Sequence, residues 1–198
     1  MNRLSQLEAK KLLRELEYLN SDLEYKSEVV ADADGRFLTS VNDFLDHHKE
    51  LKDAFEDVIN KRIEKSINMS IEERSVSPEV NEEVERHEVD PKVKRLYREI
   101  AKMTHPDKVV DTRMNNLYLE AGKSYKGEDV IGLFSVCEKI GIDYEVEESD
   151  LEQIRLKIQC AKNRINLLES TTTWVWNSTD DDGIRRDIVV RYVGAQLR

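Results

Sequence analysis

The sequence of 198 residues is poor in the residue types that build disulfide frameworks, turns and sheets. It has two cysteines, three prolines, seven glycines and 7% aromatic residues. Two cysteines do not imply a disulfide framework, and both lie in apolar-periodic segments, so Cys137 and Cys160 are predicted to be reduced and buried. Few turn residues and a 36% share of charged residues argue against a β-sandwich and favour an all-α fold.

Long apolar runs and an excess of positive charge are also missing. No segment is apolar over the roughly 20 residues that a transmembrane helix needs, and the N-terminal residues are too charged for a signal peptide. We therefore expect a cytoplasmic protein, or one of a host cytoplasm if it is viral, that does not bind membranes. The formal net charge of -10 argues against nucleic acid as a main partner.

The residue combinations that enzymes need are absent from the sequence as well. We find no paired nucleophile and base, no spacing typical of metal ligands and no phosphate-binding loop. We therefore expect neither enzymatic activity nor a bound metal or cofactor.

Apolar residues in the N-terminal third recur at helical spacing. A heptad stripe comprises Ala9, Leu12, Leu16, Leu19 and Leu23. A turn is predicted at Asp34-Gly35, and a second helical pattern runs from Val41 to Ile67. Residues 1–69 are thus predicted to form a long helical hairpin. Its stripe could pack on another helix of the same chain, form a homodimer or bind a client.

Residues 70–91 interrupt this pattern and carry eight acidic residues against two arginines. With Pro78 and Pro91 and few large apolar residues, they are predicted to form a solvated acidic linker. One hypothesis is that this charge folds back on the basic helix that follows and competes with a partner.

A basic amphipathic helix follows the linker and runs into His-Pro-Asp at residues 105–107. Its apolar residues share one face at about 100° per residue: Val93, Leu96, Tyr97 and Ile100. Its basic residues lie on the opposite face: Lys94, Arg95, Arg98 and Lys102. Pro91 suits the first helical turn, and Pro106 ends the helix because it disfavours the α region at the preceding residue.

Further helical patterns complete the chain. Asp111 or Thr112 is a candidate cap for the next helix, and Gly127 and Gly141 are predicted to end two successive helices. Residues 143–198 are predicted to form a C-terminal helical segment, which begins with a coiled-coil-like helix at heptad spacing. The residues of that stripe are Leu151, Ile154, Ile158, Ala161, Ile165 and Leu168.

Two stretches resemble a known family. "LYREIAKMTHPDKV" resembles the second helix and signature loop of the J-domain, the DnaJ-family module. "NNLYLEAGKSYKGEDVIGLFSVCEKIGI" resembles the following helix in a variant seen in bacterial and phage proteins. Those proteins often place helical segments before the module and end in a coiled segment with a tryptophan-bearing tail, like "LLESTTTWVW". The stronger similarity covers about residues 92–142, which we predict to be a J-like module.

The resemblance implies a DnaK-type ATPase chaperone as the partner, which supplies the ATP. It implies that His105, Pro106 and Asp107 stimulate ATP hydrolysis. It also implies candidate electrostatic contacts, with the last one weaker: Lys94, Arg95, Arg98, Lys102 and Lys108. The residue types suit docking, because a basic face steers an acidic partner, a proline limits the entropy lost on binding, and a fixed carboxylate can pair with a partner's arginine or amides.

The chain departs from the family before the basic helix. An ordinary J-domain begins with a short helix carrying a tyrosine-leucine pattern, whereas the corresponding residues here are "VNEEVERHEVD". Another part of the chain must then cover the apolar face of the basic helix, and the N-terminal hairpin and the C-terminal coil are the candidates. The leading hypothesis is a co-chaperone whose flanking helices target it to a client or complex. One alternative is a helical scaffold or assembly adaptor, which a viral or phage origin would suit, whose J-like module stimulates nothing. Another is an incidental helix-ending turn beside an ordinary solvated face.

Overall fold

The computed structural model describes the backbone of residues 3–75 and 89–198, and the side chains of residues 3–66 and 89–198. Within these residues the chain forms eight helices and no strand, which confirms the all-α class. The helices are α1 (Arg3–Asp46), α2 (Lys49–Ser75), α3 (Pro91–Thr104), α4 (Thr112–Lys126), α5 (Val130–Ile140), α6 (Glu148–Glu169), α7 (Thr172–Asn177) and α8 (Asp182–Gln196). No helix in this part of the chain has both the length and the apolarity to cross a membrane.

The predicted acidic linker is described only at its ends. Helix α2 continues to Ser75, and α3 begins at Pro91. Residues 76–88, which carry most of the acidic charge of this linker, lie outside the described residues. The hypothesis that this charge competes with a partner therefore also lies outside them.

The chain divides into two compact units, one made of residues 1–21 and 84–162 and the other of residues 22–83 and 163–198. In the first unit, α3, α4 and α5 pack on one another, and α5 supplies more buried apolar residues than any other helix of the unit: Ile131, Leu133, Phe134, Val136 and Cys137. The N-terminal hairpin and the C-terminal coil were expected to cover the apolar face of α3, but this helix packs against α4 and α5, the two helices that follow it.

The N-terminal part of α1 and the first part of α6 complete the first unit. Ion pairs join Arg155 to Glu8 and Lys162 to Glu15. The predicted stripes are buried along most of their length in both helices: Ala9, Leu16 and Leu19 in α1, and Leu151, Ile154, Ile158 and Ala161 in α6. Leu13, which lies beside the predicted stripe of α1, is also buried, whereas the stripe residue Leu12 is only half-buried.

The second unit has its own apolar cluster, built by α1, α7 and α8: Phe37, Val41, Leu45, Trp176, Val189 and Val193. Phe37 lies at its centre, with ring centroids 5.7 Å from Trp176 and 5.1 Å from Tyr192, both in edge-to-face geometry. Phe55 of α2 packs against this cluster. Trp176 is buried within this cluster.

Two expectations from the sequence are wrong. Helix α1 runs through Asp34-Gly35 without a turn, and the break comes at residues 47–48. A single glycine costs a helix only about 1 kcal/mol relative to alanine, and the burial of Ala33, Phe37 and Val41 on one face outweighs that cost. Cys160 is exposed, because it lies between the stripe positions of α6, whereas Cys137 is buried as predicted.

Substitution by alanine should have opposite effects at two glycines, Gly35 within the uninterrupted α1 and Gly141 at the end of α5. A Cβ added at Gly35 meets nothing within 4 Å, so Gly35→Ala should stabilise the protein by about 1 kcal/mol. Gly141 has a φ of 75° at the end of α5, where a side chain is strained, so Gly141→Ala should destabilise it by about 1–2 kcal/mol. Urea unfolding followed by far-UV circular dichroism measures both. Loss of stability in Gly35→Ala would contradict a continuous helix at this position.

Candidate partner-binding site

The His-Pro-Asp stretch forms a tight turn directly after α3. The N–H of His105 still donates to the carbonyl of Ala101, at 3.0 Å, but its ψ of 130° lies outside the helical region. This is the conformation that a following proline favours, so Pro106 ends the helix as the sequence predicts. The His105 carbonyl then accepts from the N–H groups of Lys108, at 2.9 Å, and Val109, at 3.1 Å.

The side chain of His105 also makes a hydrogen bond within this turn. The backbone N–H of Asp107 donates to His105 Nδ1 at 3.2 Å. Nδ1 also lies 3.5 Å from Asp107 Oδ2, a distance too long for a good hydrogen bond. One nitrogen cannot accept from the amide and donate to the carboxylate together, so we assign Nδ1 as the acceptor and Nε2 as the protonated nitrogen.

The Asp107 carboxylate projects from the turn into solvent. Its side chain is 85% exposed and receives no hydrogen bond from the residues that the structure describes. Pro106 and Lys108 are exposed beside it. Because Pro106 fixes one backbone dihedral and two amides bond to the His105 carbonyl, a carboxylate with free acceptor positions stands on a constrained backbone.

The structure places the predicted cations of α3 on its exposed side and separates them into two classes. Arg95 Nη2 lies 3.3 Å from Glu145 Oε2, so one cation is already paired within the chain. The other three make no ion pair within the described residues: Lys94, Arg98 and Lys102. The unpaired cations and the Asp107 turn therefore belong to the same helix and its C-terminal loop.

A second lysine of α3, which sequence reasoning did not single out, has a structural role. Lys92 Nζ lies 2.6 Å from Asp150 Oδ2 and 5.5 Å from the centre of the Phe134 ring. The Asp150 side chain is only 6% exposed, and its Oδ2 also accepts the N–H of Glu147 at 2.7 Å. This pair ties the start of α3 to the start of α6. In the sequence, the position of Lys92 beside the apolar face of the helix is the one indication that its side chain is partly buried. No sequence pattern identifies Asp150 as its partner.

The turn is backed by a cluster of three tyrosines from α3 and α4. Tyr97 stacks on Tyr125 with ring centroids 4.6 Å apart, and its ring centroid is 6.3 Å from that of Tyr118. Tyr118 in turn meets His105 edge to face at 5.2 Å. Tyr97 was expected in the core, but it is only half-buried and lies at the margin of the core in this cluster.

The tyrosine cluster should be visible in the pH dependence of stability. A hydrogen bond with Tyr118, together with burial, raises the pKa of Tyr97 from 10.0 to about 12. The unfolded chain then loses this proton at lower pH than the folded one. The stabilising effect is therefore complete below pH 10 and is lost as the pH rises from about 10 to about 12. Tyr97→Phe should lose less stability over this range than the wild type.

Urea unfolding midpoints measured across that pH range test this expectation. Tyr18→Phe, which removes a hydroxyl from an exposed ring on α1, is the matched control and should follow the wild type. Identical pH profiles for Tyr97→Phe and the wild type would show that the hydroxyl is not engaged as described.

Comparisons with known proteins do not identify a family or a function for this site. No protein-family model matches the chain, and no match was found among curated proteins or solved structures. A partner-binding site is therefore supported by the residues and distances given above.

Proposed function

We propose that this protein is a J-domain co-chaperone, which binds a DnaK-type chaperone and stimulates its ATP hydrolysis. The observation that carries the proposal is the Asp107 carboxylate, exposed on a constrained turn at the end of a helix with three cations that make no ion pair within the part of the chain that the structure describes. The family resemblance of residues 92–142 names the partner. The geometry supports a docking role, since it presents a carboxylate and a basic helix face to solvent on a constrained backbone.

The constrained turn favours productive binding in a specific way. A carboxylate on a flexible loop would lose conformational entropy when a partner's arginine or amides bind it. Here the turn hydrogen bonds and Pro106 already hold the backbone, so most of that cost is met during folding. Charge-assisted hydrogen bonds of this type contribute about 1.5–3 kcal/mol each, enough to bias a partner between two conformations.

The cations of α3 suit a different task from that of Asp107. Exposed charges on a rigid face speed encounter with an acidic surface and set orientation, and their effect weakens as salt screens them. A chain with a net charge of -10 needs such a local basic face if it is to approach an acidic partner surface.

An assembly adaptor is the second candidate. It is favoured by apolar side chains that α1 leaves exposed, such as Leu7, Tyr25 and Leu38, which another protein could cover. In that case the J-like module would bind without stimulating, or would not bind a chaperone. The two candidates differ in their dependence on Asp107.

Single-turnover ATP hydrolysis by a bacterial DnaK-type chaperone tests the proposal. The wild-type protein should accelerate hydrolysis, and Asp107→Asn should lower that acceleration on the order of tenfold to a hundredfold, because it removes the charge from the hydrogen bonds. Glu152→Gln on α6, which neutralises an exposed carboxylate of the same unit, is the matched control and should act like the wild type. Absence of stimulation across several such chaperones would favour the adaptor.

The two classes of arginine on α3 give a second test. Arg98→Gln removes an unpaired cation and should weaken binding to the chaperone roughly two- to fivefold at low salt, with a smaller salt dependence. Arg95→Gln should have a smaller effect, because Glu145 already partners that guanidinium. Binding measured at two salt concentrations compares them. A larger loss in Arg95→Gln than in Arg98→Gln would contradict this division of the basic face.

A further inference from the structure

The side chain that contacts His105 from α4 is Tyr118. Their ring centroids are 5.2 Å apart with an interplanar angle of 68°, the edge-to-face arrangement that aromatic pairs prefer. The imidazole is about one-third exposed, so solvent reaches one side of it while Tyr118 lies against another. No sequence motif pairs these two residues.

Tyr118 is itself restrained by its neighbours. Its ring lies beside that of Tyr97 on α3, with the two ring centroids 6.3 Å apart. Tyr118 and Tyr125 lie seven residues apart on α4, which places them on the same side of that helix. A ring held in this way can restrict the rotation of the imidazole that it contacts.

The orientation of that imidazole has a direct consequence for Asp107. The His105 Nδ1 accepts the Asp107 N–H at 3.2 Å, and it can do so only when the ring is turned toward the loop. Pro106 fixes its own φ but does not fix the dihedrals of Asp107. The hydrogen bond from the Asp107 amide therefore adds a direct restraint on this peptide to the two bonds on the His105 carbonyl, and so restrains the direction in which the carboxylate is presented.

We propose that Tyr118 is a positioning residue for the His-Pro-Asp turn: its ring holds the His105 imidazole so that Nδ1 binds the Asp107 amide and the carboxylate points outward. This inference rests on the proposed function for its effect on ATP hydrolysis, but its structural part is independent of any chaperone. Removal of the ring should free the loop, whereas removal of the hydroxyl alone should not.

The first measurement is backbone ¹⁵N relaxation of the free protein. In the wild type the Asp107 amide should have an order parameter typical of rigid backbone, about 0.85, and in Tyr118→Leu it should fall toward 0.6 or below. Tyr118→Phe, which keeps the ring, should retain the wild-type value. Tyr125→Leu is the matched control, because it removes a tyrosine from the same face of α4 without removing a contact to His105.

The second measurement is chaperone stimulation by the same variants. Tyr118→Leu should lose stimulation on the order of tenfold or more at saturating concentration, while Tyr118→Phe and Tyr125→Leu should keep it. The positioning role is overturned if the Asp107 amide stays rigid in Tyr118→Leu, or if Tyr118→Phe or Tyr125→Leu loosens it equally. If the wild type stimulates no chaperone, the proposed function fails, and the relaxation data alone decide the positioning role.

A further variant covers the case in which Tyr118→Leu does not fold. His105→Phe keeps an aromatic ring against Tyr118 and removes the nitrogen that accepts the Asp107 amide. It should loosen Asp107 as Tyr118→Leu does. A rigid Asp107 amide in His105→Phe would overturn the inference, because the hydrogen bond would then not be what holds the peptide.

Discussion

Burial of Val93, Leu96 and Ile100 against α4 and α5 determines where every charge of α3 lies. A helix places residues at about 100° intervals, so once these three positions face the core, the positions on the opposite side of the helix must face solvent. Arg98 and Lys102 are exposed for this reason and require no separate stabilisation. The free energy that holds the basic face in place is thus the apolar burial on the other side of the same helix.

The two ends of α3 are stabilised by different interactions. At its start, Lys92 and Asp150 form a nearly buried ion pair, and removal of one partner from such a pair typically costs about 3–5 kcal/mol because the other charge remains unpaired. At its end, the sequence itself stops the helix through Pro106, and the tyrosine cluster packs beside the turn. A helix fixed at both ends and along one face presents its charges and its terminal loop as one rigid surface, which suits recognition of a partner.

The sequence predicts this region well where the determinants are local. Pro91, Pro106 and Gly141 act through backbone dihedrals of their own or of adjacent residues, and each helix limit assigned to them agrees with the structure. The turn assigned to Asp34-Gly35 is wrong because the packing of distant residues on α1 outweighs a weak local preference. Cys160 shows the same limitation, since one step around a helix separates a buried position from an exposed one.

The residues of the candidate site divide along the same line. His105, Pro106 and Asp107 are adjacent in sequence, so their turn could be anticipated, and the cations follow from helical periodicity. The contact of Tyr118 with His105 depends on how α4 packs against α3, which no local pattern encodes. The orientation of Asp107 is consequently a tertiary property, although Asp107 belongs to a local motif. Sequence alone can therefore identify the three residues of the turn, but whether they form an ordered docking element depends on the core behind them.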